Sequence, residues 1–313
     1  MRSPAPEAGA STNSAIWARG RWARLAVGRG AVNHIRRIIF LTPRIRPSKG
    51  SGKTFIPQED QIPDIPPSSP PSFFPRPDGL KLAYRHRAGK GATIVFLPGY
   101  MSDMEGGKAV ALDRWAADTG RAMLRLDYAG NGASEGMFED GTLASWRDDA
   151  LLLIDVLTQG PLLLVGSSMG GWLALLIALA RPDRVAGIVG IAAAPDFTEW
   201  GFSPADRAML AAQGRLVEPT PYGDQPYVTT LGFWESGQAL RVLEGEIALD
   251  CPIRLLQGQA DPDVPWEIAL RIARQVRSSD VQTLLIKDGD HRLSRDSDIA
   301  LLIHTVASLL DNL

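Results

Sequence analysis

Residues 161–173 read Pro-Leu-Leu-Leu-Val-Gly-Ser-Ser-Met-Gly-Gly-Trp-Leu. Leu162 to Val165 is an apolar run of strand length that stops at a glycine, and beyond Gly171 the spacing of Trp172, Leu173, Leu175, Leu176 and Leu179 predicts a buried helix. Between them, Gly166-Ser167-Ser168-Met169-Gly170 fits G-x-S-x-G in the strand–turn–helix context that the motif needs. The flanking glycines have a steric reason. A sharp turn holds its central serine at strained backbone angles, and a Cβ two residues to either side would strike the neighbouring strand or helix. This criterion selects Ser168, since Ser167 is flanked at that spacing by Val165 and Met169. A glycine-rich turn without chemistry is the competing reading in a chain with 31 glycines. The motif therefore acquires meaning only if a base, an acid and an oxyanion site follow in order.

The chain of 313 residues is 45% hydrophobic and 22% charged, which suits one globular domain with an extension. Its single cysteine, Cys251, excludes an internal disulfide framework. Cys251 stands before Pro252 and an apolar run with no histidine placed to serve it, so it reads as a packing residue. No apolar run approaches the ~20 residues of a membrane span. The net charge of −2 divides into +9 over residues 1–50 and −11 over the rest. A mildly acidic domain is not a nucleic-acid reader.

Residues 1–72 differ from the remainder. The first 50 are Arg-rich with Glu7 as their one acid, and eight prolines fall between residues 56 and 77. The proline tract predicts an extended linker. The basic segment has three readings: a disordered tail, a mitochondrial-type transit peptide, or sequence upstream of the true start. Gly50-Ser51-Gly52-Lys53-Thr54 imitates a phosphate-binding loop, but Pro47 stands where its first glycine belongs and no strand precedes it. Nucleotide binding is set aside.

From Phe73 onward, strands alternate with helices. Strands are expected over Leu80–His86, Ala92–Leu97, Ala122–Leu126, Leu162–Val165, Val185–Ala192, Ile253–Gln257 and Val281–Ile286; helices over 105–119, Leu143–Leu157, the stretch after Gly171, the stretch from Pro265 to Val276, and 295–311. Continuous apolar strands between helices indicate a mostly parallel sheet covered on both faces. Residues 195–248 break the rhythm and collect Trp200, Phe202, Tyr222, Tyr227, Phe233 and Trp234. They are expected to form an inserted lid, ordinary helical packing being the alternative. The domain division is thus 1–72 as basic tail and linker and 73–313 as an α/β domain.

Elimination finds the base. His34 lies in the tail, His86 on an early strand and His304 in the last helix; only His291 sits in a loop after a late strand, where parallel sheets place catalysis. A serine–histidine pair needs an acid on the second imidazole nitrogen. Asp261, after the strand ending at Gly258, is the candidate. Asp263 is its rival, with helix capping near Pro265 as its other reading. The order Ser168…Asp261…His291 is that of α/β-hydrolases. Two fixed N–H donors should face the developing oxyanion: the Met169 amide at the helix N-terminus, and the amide of Tyr100, since Pro98 has none and Gly99 gives close access. Tyr100 as a plain turn residue is the alternative.

Together these residues resemble the α/β-hydrolase superfamily, and within it the branch of palmitoyl-protein thioesterases that also cleave acyl glucuronides. The resemblance rests on LPGYMSDMEGGKAVALD (97–113), RLDYAGNGASEG (125–136), LLVGSSMGGWLALLIALARP (163–182), CPIRLLQGQADPDVPW (251–266) and DHR (290–292). It implies Ser168, Asp261 and His291 as a catalytic triad, hydrolysis of fatty-acyl thioesters and carboxylic esters, and neither cofactor nor metal. The partner expected is a small-molecule or acylated-protein substrate with an apolar acyl group. C–C bond hydrolysis or other small-ester hydrolysis on the same triad is the alternative, and a non-catalytic binding protein on this fold a more remote one. Relatives that open epoxides or remove halides carry aspartate where Ser168 stands. Composition suits a cytoplasmic bacterial member; a transit peptide would place the protein in mitochondria.

Overall fold

A computed structural model of the chain describes residues 70–220 and 226–313. The basic segment, most of the proline tract, the imitation phosphate loop and Tyr222 lie outside them.

Among the described residues, eight strands make one sheet. In chain order they are β1 (Ser72–Pro75), β2 (Lys81–Arg87), β3 (Lys90–Leu97), β4 (Arg121–Leu126), β5 (Leu162–Ser167), β6 (Val185–Ile191), β9 (Ile253–Gly258) and β10 (Val281–Ile286). Between β6 and β9 a two-stranded hairpin forms from β7 (Arg215–Glu218) and β8 (Tyr227–Thr230). The sheet order is β1-β2-β4-β3-β5-β6-β9-β10. From β4 to β10 every pairing is parallel; β1 and β2 join antiparallel at one edge. The mostly parallel sheet is the one expected from the alternation.

The helices are α1 (Gly107–Thr119), α2 (Leu143–Leu157), α3 (Met169–Ala180), α4 (Phe197–Trp200), α5 (Pro204–Gln213), α6 (Leu231–Ala239), α7 (Glu267–Gln275) and α8 (Asp296–Leu310). Local chemistry sets their ends. Thr142 caps α2 reciprocally with Ser145, and Gly120 ends α1 in the left-handed conformation at φ 66°. Alternation along the strands divides the core between the two faces of the sheet. Val95, Leu97, Leu162 and Leu164 join Trp146 of α2 and Trp172 of α3, whereas Ile94, Phe96, Leu163 and Val165 join Leu112 of α1 and Val306 of α8.

Two expectations need correction. β1 begins at Ser72, so the boundary drawn between residues 72 and 73 cuts into a strand. Pro70, Pro71 and Pro75 make the stretch read as linker, yet an edge strand tolerates proline because one side of its backbone needs no ladder partner. The N-cap position of α7 is Trp266, three residues beyond Asp263.

Residues 195–248 leave the sheet as expected, carrying α4, α5, the β7–β8 hairpin and α6. Asp196 gathers the two ends of this excursion. Its buried carboxylate accepts the amides of Val242 and Leu243, both at 2.8 Å. Its own φ of 57° is one that asparagine and aspartate adopt more readily than most side chains.

Candidate active site

Ser168 sits between the end of β5 and the start of α3 with φ 55° and ψ −119°. A conformation of this kind costs ~1–3 kcal/mol and persists only where its surroundings over-determine it. Here they do. The Ser168 amide donates to the Ile191 carbonyl at 2.9 Å, and its carbonyl accepts from Gly171 at 2.9 Å and Ala194 at 3.1 Å. The glycines are sterically required, as expected. A Cβ on Gly166 would overlap the Gly170 carbonyl, and one on Gly170 would overlap the Leu97 carbonyl oxygen.

The structure brings the three sequence-selected side chains together. His291, in the loop after β10, places Nε2 3.1 Å from Ser168 Oγ and Nδ1 3.0 Å from Asp261 Oδ2. The Asp261 side chain is fully enclosed and that of His291 is 16% exposed. Burial alone would raise the Asp261 carboxyl. The hydrogen bond and charge of His291, with the amides of Val264 and Asp263, outweigh it and hold the group below the ordinary carboxylate range. Those amides reach Oδ1 at 2.9 and 2.8 Å. Asp263, the rival acid, thus supports Asp261 through its backbone. Asp261, Asp263 and His291 also offer three metal-ligand atoms within 4.8 Å of one another. Two of these residues already satisfy each other, so the arrangement serves proton transfer better than cation binding.

Met169 opens α3, where the helix leaves its first amides without internal acceptors. Among the described residues neither the Met169 nor the Tyr100 amide donates a hydrogen bond. Gly99 lies against the nucleophile: a Cβ there would come within 3.3 Å of Ser168 Cβ. Met169 thus follows Ser168 at the start of α3, and Tyr100 follows the glycine that lies against the serine.

Sequence reasoning missed what holds these loops. Asp127 and Arg125, both buried at the end of β4, clamp Met104 from opposite sides. Asp127 Oδ1 accepts the Met104 amide at 2.7 Å, and Arg125 Nη1 donates to the Met104 carbonyl at 2.7 Å. Burial pushes the Asp127 carboxyl up to about 6, against the pull of the Ala133 and Met104 amides. The Tyr128 hydroxyl donates to the Pro98 carbonyl at 3.1 Å. On the far side of the site, Lys108 of α1 donates to the Arg292 carbonyl beside His291. Its ammonium is lowered to about 8, first by burial and then by the charge of Arg292. The local signal for Arg125 and Asp127 is a charge at the end of a mostly apolar strand.

An aromatic floor adjoins the site. The Tyr100 ring meets Phe233 at 4.8 Å, Phe138 at 5.2 Å, Trp146 at 5.9 Å and Phe197 at 6.0 Å between centroids. Phe197 and Phe233 come from the 195–248 excursion, which therefore contributes to the surroundings of the candidate oxyanion loop.

Comparison with known proteins agrees with this architecture. A family model described as serine aminopeptidase, S33, matches residues 89–229. The human mitochondrial palmitoyl-protein thioesterase ABHD10 is 40% identical over 246 residues, covering 77% of this chain and 80% of that protein. Among solved structures, the mouse alpha/beta hydrolase domain-containing protein 10 superposes with a TM-score of 0.73 at 37% identity, covering 78% of this chain and 99% of the other. A putative hydrolase from Agrobacterium vitis S4 gives a TM-score of 0.72 at 38% identity, with 77% and 100% covered.

Proposed function

This chain belongs to the α/β-hydrolase family of the ABHD10 thioesterases, and on that premise we propose that it is a serine hydrolase of carboxylic esters and thioesters working through an acyl-enzyme. The observation that carries the reading is the unbroken line from Ser168 Oγ through His291 to Asp261, with contacts of 3.1 and 3.0 Å.

The steps follow from that line. Nδ1 of His291 keeps its proton on Asp261, which leaves Nε2 free to accept the Ser168 proton as Oγ attacks the acyl carbon. The amides of Tyr100 and Met169 receive the negative charge that develops on the carbonyl oxygen, and each such donor is typically worth about 3–4 kcal/mol. Nε2–H then protonates the departing alcohol or thiol. Water, deprotonated by the same nitrogen, attacks the acyl-enzyme and releases the acid. Nothing in this sequence calls for a cofactor.

The aromatic floor beneath Tyr100 favours an apolar acyl chain, and the palmitoyl-protein thioesterase name of the human relative points to fatty-acyl thioesters on cysteine as substrates. Residues 195–248 serve as the lid. The mitochondrial names of the mammalian relatives favour the transit-peptide alternative for location and lend no support to the cytoplasmic expectation.

Ser168→Ala tests the reading. Hydrolysis of p-nitrophenyl and acyl-thioester substrates should fall by at least about a thousandfold, with labelling by a fluorophosphonate abolished. Wild-type turnover in that variant would end the proposal, and a binding protein on this fold would leave even the wild-type chain unlabelled.

A further inference from the structure

Gln257 is the residue before the last of β9, and it is fully buried. Its amide nitrogen faces acceptors alone: Asp261 Oδ2 at 3.0 Å, the Gly258 carbonyl at 3.2 Å and the Val264 carbonyl at 3.3 Å. Turned the other way, the amide would set its oxygen against three acceptors, so its neighbours fix its orientation. Among the described residues the remaining atom, Oε1, is buried without a hydrogen-bond partner. An orphaned buried acceptor is destabilising, and methionine would fill nearly the same volume without one. What glutamine supplies at this position, and an apolar residue does not, is the N–H donor.

That donor falls on the oxygen that matters. Asp261 Oδ2 receives both His291 Nδ1 and Gln257 Nε2 at 3.0 Å, and Oδ1 receives the Asp263 and Val264 amides. Four donors saturate a carboxylate. Its plane is thereby locked toward the imidazole, and Oδ2 divides its negative charge between two partners.

We propose that Gln257 is a positioning residue of the hydrolytic site: its amide N–H shares Asp261 Oδ2 with His291, fixing the carboxylate and limiting how strongly it binds the imidazolium. The inference rests on the serine–histidine–aspartate reading above. Without the donor, Oδ2 serves His291 alone. The imidazolium is then better stabilised and the base stays protonated to higher pH, while the carboxylate regains freedom to rotate out of line.

Gln257→Met removes the donor and leaves in place the other titratable and charged groups around His291. These are Asp261 and Asp263 from the β9–α7 loop, Asp290 and Arg292 from its own loop, Lys108 from α1 and Tyr227 from β8. On a p-nitrophenyl ester we expect the plateau kcat to fall about tenfold with KM within about twofold, and the acid limb of kcat/KM to move upward by about half a pH unit or more. Gln257→Glu is nearly isosteric and donates only while protonated, so its activity relative to wild type should decline as pH rises through one ionisation. This second comparison carries the test if the methionine variant does not fold. An unmoved acid limb with wild-type kcat in Gln257→Met, or a pH-independent ratio for Gln257→Glu, overturns the inference. Ser168→Ala run in the same assay separates the two ideas: if it still turns over, the triad reading fails; if only it is dead while Gln257→Met behaves as wild type, the positioning role alone fails.

Discussion

The Tyr100 hydroxyl donates to the Val228 carbonyl at 2.6 Å, joining the loop that follows β3 to strand β8 of the 195–248 excursion. The residue that follows Gly99, itself packed against Ser168, thus gives its side chain to the candidate lid. Burial drives the Tyr100 phenol far above its ordinary value, so the hydroxyl remains a donor at every working pH.

Tyr100→Phe should break this tether while keeping the ring packed on Phe233 and Phe138. One hydrogen bond of this kind contributes about 0.5–1.5 kcal/mol, equivalent to a few degrees in Tm for a domain of this size. If the tether holds the acyl-binding surface in shape, KM for a long-chain acyl thioester should rise about threefold to tenfold, and KM for an acetyl ester much less. Equal changes for both substrates would show that Tyr100 stabilises the fold without shaping acyl recognition.

Asp127 carries the next expectation. Its carboxyl is raised to about 6 in the folded chain, above the ~3.9 of an unperturbed aspartate. Its favourable contribution is therefore fully present below the unfolded value and lost as pH rises through about 6. Asp127→Asn leaves one of the Met104 and Ala133 amides facing an NH2 group, which should cost about 1–3 kcal/mol at neutral pH. The Tm gap between wild type and variant should then widen between pH 7 and pH 5. A gap that narrows toward pH 5 contradicts this account. Because the Met104 amide anchors the loop bearing Tyr100, kcat should also drop, by about tenfold.

What was legible in the sequence follows from the range of the forces involved. Ser168 was readable because its motif is local: Gly166 and Gly170 stand two residues to either side of the nucleophile, although only the Gly166 clash arises within the turn and that of Gly170 is with the Leu97 carbonyl of β3. His291 and Asp261 were readable because a parallel sheet delivers strand ends to one edge, and few candidates occupied that edge. Asp127, Arg125, Gln257 and Asp196 were not. Arg125 grips Met104, 21 residues away, and Asp196 binds amides 46 and 47 residues away. A single buried polar side chain creates no periodicity, and its partners become evident only when the chain is folded. The excursion over 195–248 was visible as a break in rhythm, yet its β7–β8 hairpin was not, since Arg215–Glu218 is short and lacks a two-residue turn signal.

The two aspartates after β9 give the sharpest test of the site. Asp261→Asn preserves an oxygen for the Asp263 and Val264 amides and so should fold. It then turns an NH2 group toward His291 Nδ1, where only an unprotonated nitrogen can accept it. That forces the proton onto Nε2, which can no longer take one from Ser168. A fall in kcat of about 10³–10⁴ is expected, with KM little changed. Asp263→Asn keeps the backbone amide that supports Asp261 and alters only an exposed side chain, so kcat should stay within about threefold to tenfold of wild type. The pH dependence adds a second reading. Because the fold lowers Asp261, its contribution to stability is present above the ordinary carboxylate value and disappears as pH falls through the lower folded one, so Asp261→Asn should flatten acid unfolding there. If instead Asp263→Asn is the inactive variant and Asp261→Asn turns over normally, the acid is Asp263, and the 3.0 Å contact from Asp261 to His291 is structural.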